Sequence, residues 1–164
     1  MTTATKPLRS ALIANAAFSA GCGTAMLVAP GLIDAWLDLG YPLALQLLGA
    51  GLLVFAADLV HQATRPRLLT WRALYASAAD LLWVIGTLAL LLIAPNLVSA
   101  TGATLMLAVA AVVLIFGLWQ LQGIGTAHRA ANESSYRHCV SVAVDVPAEA
   151  MWEVIGRLGE IARY

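Results

Sequence analysis

Four apolar runs, each long enough to cross a bilayer as a helix, constrain this chain more than any other feature. A hydrocarbon core about 30 Å thick takes roughly 20 helical residues. The runs cover residues 9–29, 42–63, 72–94 and 102–123. Pro30-Gly31 and Pro95-Asn96 stop the first and third. Pro42 opens the second at a first-turn position, where its missing N–H is not needed. The runs are apolar on all sides and rich in Leu and Ala. They show no alternation of period two, so they read as helices rather than strands. The expectation is an all-α membrane protein, a four-transmembrane-helix bundle with short connections between antiparallel neighbours.

Charge sets the domain boundary. Charged residues make up 11% of the chain and hydrophobic ones 61%, against about 25% charged in an ordinary soluble domain. This balance excludes a disordered chain and a nucleic-acid binder. Nine of the eighteen Lys, Arg, Asp and Glu residues fall after Gly125. Residues 1–124 therefore form the transmembrane domain, 125–137 a linker and 138–164 a water-soluble tail.

Lys6 and Arg9 precede the first span, Arg65, Arg67 and Arg72 lie between the second and third, and Arg129 and Arg137 follow the fourth. The two opposite loops, 30–41 and 95–101, contain no Lys or Arg. Positive charge marks the cytoplasmic side, so both termini are expected inside, in a bacterial inner membrane. Trp36 and Tyr41 suit the outer interface, and Trp71, Tyr75 and Trp119 the inner one. The loop GLIDAWLDLG reads as a short surface helix with Ile33, Trp36 and Leu37 towards lipid and Asp34 and Asp38 towards water. Ser19-Ala20-Gly21-Cys22 partly resembles a lipoprotein cleavage site, but Ser19 stands where an aliphatic residue is usual. The apolar run also continues to Ala29, so the first span reads as retained.

The two hairpins resemble each other. ALIANAAF at 11–18 matches ALYASAAD at 73–80, Gly23-Thr24 matches Gly86-Thr87, and Ala29-Pro30 matches Ala94-Pro95. A duplication would give two parallel two-helix repeats about an axis along the membrane normal.

Polar residues inside the spans are the candidate site. Asp58 and His61 are three apart and share a helix face. Asp58 lies roughly 9 Å from the cytoplasmic end and Asp80 about 12 Å up the third span, at 1.5 Å per residue. Ser77 and Trp83 flank Asp80. Asp58, His61, Asp80 and Ser77 therefore read as an intramembrane polar cluster, because a carboxylate at that depth needs a partner or a proton. It serves either as a clasp between the second and third spans or as a proton or ion pathway. Arg65, Arg67 and Arg72 suit an anionic lipid headgroup. Gly21, Gly23, Gly49 and Gly51 let helices approach closely, and Asn15 supplies an interhelical hydrogen bond. Cys22 and Cys139 read as free thiols without metal-ligand spacing. No metal or cofactor is expected beyond bound lipid; a haem or pigment on His61 is the alternative.

In the tail, alternating valines at 139–146 read as a strand, and Pro147-Ala148-Glu149 opens a helix. The segment from Val142 through MWEVIGRLGEI resembles the opening strand and first helix of the START-like, polyketide-cyclase superfamily. That resemblance implies a helix-grip domain binding lipids or other hydrophobic molecules. It covers about 25 residues and carries no ligand-binding residue. The spans are similar in layout to small bacterial DoxX-like membrane proteins, which assigns no residue a role. No phosphate loop, HExxH or nucleophile–histidine–carboxylate set is present, which leans away from an enzyme. The expectation is a non-catalytic accessory or scaffolding subunit packed against a larger membrane complex. The alternatives are a membrane anchor for a START-like domain binding lipids, quinones or other hydrophobic ligands, and a transporter using Asp58, His61 and Asp80.

Overall fold

The computed structural model describes residues 5–66 and 68–135, with side chains through Arg129. Among the described residues there are five helices and no strand. They are α1 (Lys6–Val28), α2 (Pro30–Leu37), α3 (Pro42–Thr64), α4 (Thr70–Ile93) and α5 (Ala100–Ser135). Four of them, all but α2, are long and apolar enough to cross a membrane. Large apolar side chains face outward along the spans; Val54, Leu82, Leu92 and Ile115 are all more than half exposed. Such a surface suits lipid and would be a liability in water. The strand and helix expected in 138–164 lie outside the described residues, as does Arg67.

Proline sets the starts, at Pro7 in the first turn of α1, Pro30 in α2 and Pro42 in α3. The two outer stops share one backbone form. Ala29 has φ −132° and ψ 51°, and Ala94 has φ −130° and ψ 62°. Each N–H returns to the carbonyl four residues back, on Ala25 and on Leu90. The matched Ala-Pro pairs of the two hairpins thus end their helices alike.

The segment 125–137, expected as a linker, is helical as far as Ser135. Its Ala127, Ala130 and Ala131 are strong helix formers, and no proline interrupts them. Polarity there marks an exit from the apolar layer, not an end to the helix.

Leu37, expected to face lipid, is buried. Ser99 explains this. Its N–H donates to the Leu37 carbonyl at 2.9 Å and its Oγ to the Trp36 carbonyl at 2.6 Å. α5 then starts so close that a Cβ on Gly102 would lie 2.9 Å from the Leu37 Cα. The two outer loops are therefore tied to each other. Asp34 closes the turn after α2 by accepting from the Tyr41 N–H at 3.1 Å, with Asp38 in the left-handed region at φ 60°.

α1 and α3 touch backbone to backbone. A Cβ on Gly23 would stand 2.7 Å from the Gly49 carbonyl oxygen, and one on Gly49 would stand 2.7 Å from the Gly23 oxygen. Gly21 and Gly51, expected in the same role, face outward and would meet nothing within 4 Å. Two residues turn a helix by about 200°, so only one glycine of each pair can face the partner. At the other end Arg9, which sequence reasoning left among the topology charges, is buried against the end of α3. Its guanidinium donates to the carbonyls of Ala63, Arg65 (2.7 Å) and Pro66 (3.3 Å). These include carbonyls that a helix end leaves without partners. A core of Leu8, Leu12, Leu59, Ala63, Ala73 and Ala76 packs just inside this cap.

Candidate functional site

The centre of the bundle holds a hydrogen-bonded group of five buried polar side chains. α4 turns one stripe inward, Ala73, Ala76, Ser77, Asp80, Val84 and Thr87, at the three- and four-residue spacing of a helix face. Asp80 is 3% exposed. Its Oδ2 accepts from Asn15 Nδ2 at 2.8 Å and from Gln120 Nε2 at 2.9 Å. Ser77 Oγ donates to the Ala73 carbonyl at 3.1 Å and lies 3.4 Å from Gln120 Oε1. Ser19 Oγ donates to Asn15 Oδ1 at 3.2 Å. α1, α4 and α5 are thus joined through one carboxylate oxygen. Gly117 packs beside it; a Cβ there would stand 3.4 Å from the Asp80 Cβ, in ordinary contact.

The expected cluster divides. Asp80 and Ser77 belong to this network, and Asn15 joins it as a donor. Asp58 does not share it; it is half-buried and accepts from Gln62 Nε2 on its own helix at 2.5 Å. His61 is exposed, and its Nε2 accepts from Arg65 Nε at 3.1 Å. The clasp therefore runs from the third span to the first and fourth rather than to the second. The cause is helical phase. α3 buries Gly49, Ala56, Leu59 and Ala63. His61 is about 200° round the helix from Leu59 and Asp58 about 100°. Similar depth along the bilayer did not bring these side chains onto the inward face.

Gln120 and Ser19 were missed. Gln120 is fully buried, and its signal was available as an uncharged polar residue three past Gly117 in an apolar run. Of the expected headgroup residues, Arg65 is exposed and Arg72 half-buried. The Arg72 guanidinium carbon lies 5.6 Å from the Trp71 ring centroid, and its Nη1 is buried without a hydrogen-bond partner.

Beside the network lies a cavity of about 190 Å³. All four spans line it, with Phe18 and Cys22 from α1, Phe55 from α3, Asp80 and Trp83 from α4, and Val113 from α5. No family model, curated protein or solved structure matches this chain. Its chemistry is therefore read from the site alone. Among the described residues no three His, Cys, Asp or Glu side chains are placed to share a metal ion. The arrangement is a single carboxyl, held by neutral amide donors, at the edge of an apolar, aromatic-lined space.

The two donors meet on one oxygen, so their loss should be coupled. Interhelical hydrogen bonds within membranes contribute about 0.6 kcal/mol on average and about 1.7 at most. Asn15→Ala and Gln120→Ala should each destabilise by about 1 kcal/mol on that scale. The double variant should exceed their sum by roughly 1 kcal/mol, because only then is the buried oxygen without a donor. Reversible unfolding in mixed micelles measures this; strictly additive losses would mean that the donors act independently.

Proposed function

We propose that this chain is a non-catalytic integral membrane protein that serves as an accessory or scaffolding subunit packed against a larger membrane complex. The observation that carries this reading is a face of α1 with no use inside the bundle. Ala17, Gly21 and Ala25 recur every fourth residue, and all three are exposed. A side chain on Gly21 would meet nothing within 4 Å. Small residues at this spacing let another helix approach closely in lipid, where van der Waals packing rather than hydrophobicity drives association. The central polar residues support the same reading, since Asp80 is engaged by Asn15 and Gln120 in joining helices.

In this reading both chain ends lie on the inner face of a bacterial inner membrane, because Lys6, Arg9, Arg65, Arg67 and Arg72 flank the same ends of the spans. Anionic lipid would bind near Arg72.

Gly21→Leu tests the proposal. Because the space at Gly21 is open, the variant should fold and unfold like wild type. It should nevertheless leave the particle in which the wild-type chain travels when both are released gently from their own membranes and weighed by native mass spectrometry. A wild-type chain that runs alone, or a variant that keeps all its partners, would overturn the reading.

A further inference from the structure

The carboxyl at the cavity is only half engaged. Oδ2 of Asp80 takes both amide donors, while Oδ1 takes no hydrogen bond among the described residues. The groups of its hydrogen-bond network, and those packed on it or sharing the cavity lining, are uncharged. They are Asn15 and Ser19 on α1, Phe55 on α3, Ser77 and Trp83 on α4, and Gly117 and Gln120 on α5. Cys22, the other titratable group in the lining, is no cation, and no Lys, Arg or His lines the cavity. An ionised carboxyl in apolar surroundings without a counter-charge is costly. The indole N–H of Trp83, in the same lining, is also buried without a partner. Asp80 and Trp83 thus both line the cavity, each with a polar atom that no described residue engages.

Size and lining narrow the occupant. An apolar cavity of about 150 Å³ takes a benzene molecule. A cavity of about 190 Å³ takes one aromatic ring and a short chain. Phe18, Phe55 and Trp83 present aromatic surface to it, and aromatic faces attract cations most strongly where water is excluded. A neutral molecule would fill the volume and leave the carboxyl to take up a proton instead. A cation with an apolar body answers both.

We propose that the cavity between the four spans binds a small lipophilic amine, its ammonium group donating to Asp80 Oδ1 and its ring lying among Phe18, Phe55 and Trp83. This inference rests on the cavity lined by all four spans and not on the small-residue face of α1 that carries the accessory-subunit reading.

The test uses the full chain in phosphatidylcholine nanodiscs, with empty nanodiscs correcting for partition into lipid. The probes are 2-phenylethylamine, charged at neutral pH, and 2-phenylethanol, its uncharged counterpart. Saturable uptake of one amine per chain is expected, tighter than that of the alcohol by about tenfold or more. Asp80→Asn should weaken amine binding by about the same factor and leave the alcohol unchanged. Ala79→Phe should abolish binding of both probes by filling the cavity that Ala79 lines, without touching the Asp80 hydrogen bonds. Equal affinity for amine and alcohol, no saturable uptake, or an Asp80→Asn variant that binds the amine as wild type does would each overturn the proposal. If Asp80→Asn does not fold, the amine-to-alcohol ratio and Ala79→Phe decide the question.

Discussion

Gly23→Leu is expected to leave no stable bundle, while Gly21→Leu two residues away leaves one intact. The difference is geometric. A Cβ at Gly23 would sit 2.7 Å from the carbonyl oxygen of Gly49 and 3.1 Å from the Leu52 Cβ. The first of these is backbone and cannot rotate aside. α1 and α3 would have to separate, losing the contact along their whole shared face. Even Gly23→Ala should cost about 1–3 kcal/mol, the usual penalty for adding a methyl group to a closed interface. Gly49→Leu should match Gly23→Leu, because each glycine faces the other's carbonyl. Unfolding in mixed micelles, monitored by far-ultraviolet circular dichroism, separates the cases. A Gly23→Leu protein as stable as wild type would disprove the backbone contact.

The second large effect is expected at Arg9. Its guanidinium reaches three carbonyls around the end of α3. A hydrogen bond to a charged group contributes about 1.5–3 kcal/mol. The cationic group also meets the negative end of the helix dipole, for about 0.3–1 kcal/mol more. Water at the membrane surface would re-solvate part of what is exposed, so the three bonds do not add in full. Arg9→Ala should therefore destabilise by about 3 kcal/mol in the same unfolding experiment. Arg9→Lys should recover less than half, because an ammonium carries the charge without the planar fork that spans several carbonyls. Full rescue by lysine would mean that charge alone, and not the fork, holds the end of α3.

The spans were legible because their signal is additive. Some 20 apolar residues between proline stops admit few other structures, and α3 begins at Pro42 as the sequence implies. The site was legible only in part, because its information lies in helical phase. Asp80 falls on the stripe of Ala73, Ala76 and Ser77, which could be read from spacing. Asp58 and His61 also have a helical phase, but the inward face of α3 is defined by Gly49, Ala56, Leu59 and Ala63. Little in a helix that is apolar all round announces which side is inside. Hydrophobicity does not discriminate between lipid and core; small residues do. Gly23 and Gly49 gave that direction, yet each has a glycine two positions away, on the opposite face. Arg9 was hidden for another reason. A cation at the start of a first span is what topology alone requires, so its role as a cap had no separate signature. Gln120 was overlooked because polar residues close to a span end ordinarily face water.

The partners of Asp80 also have a temporal order. A chain made from its N-terminus inserts α1 and α3 first, and two of the contacts described above, Gly23 against Gly49 and Arg9 against the end of α3, lie wholly within that hairpin. α4 then brings Asp80 into a membrane where one donor, Asn15, is already waiting. The other donor, on Gln120, arrives with the last span. Until it does, Asp80 Oδ2 rests on Asn15 alone, and the last span supplies its second donor. Gln120 therefore completes the network only when the fourth span is in place. A chain cut before Gln120 would keep the Gly23–Gly49 approach and the Asn15 bond to Asp80, and would lack only the tie to α5.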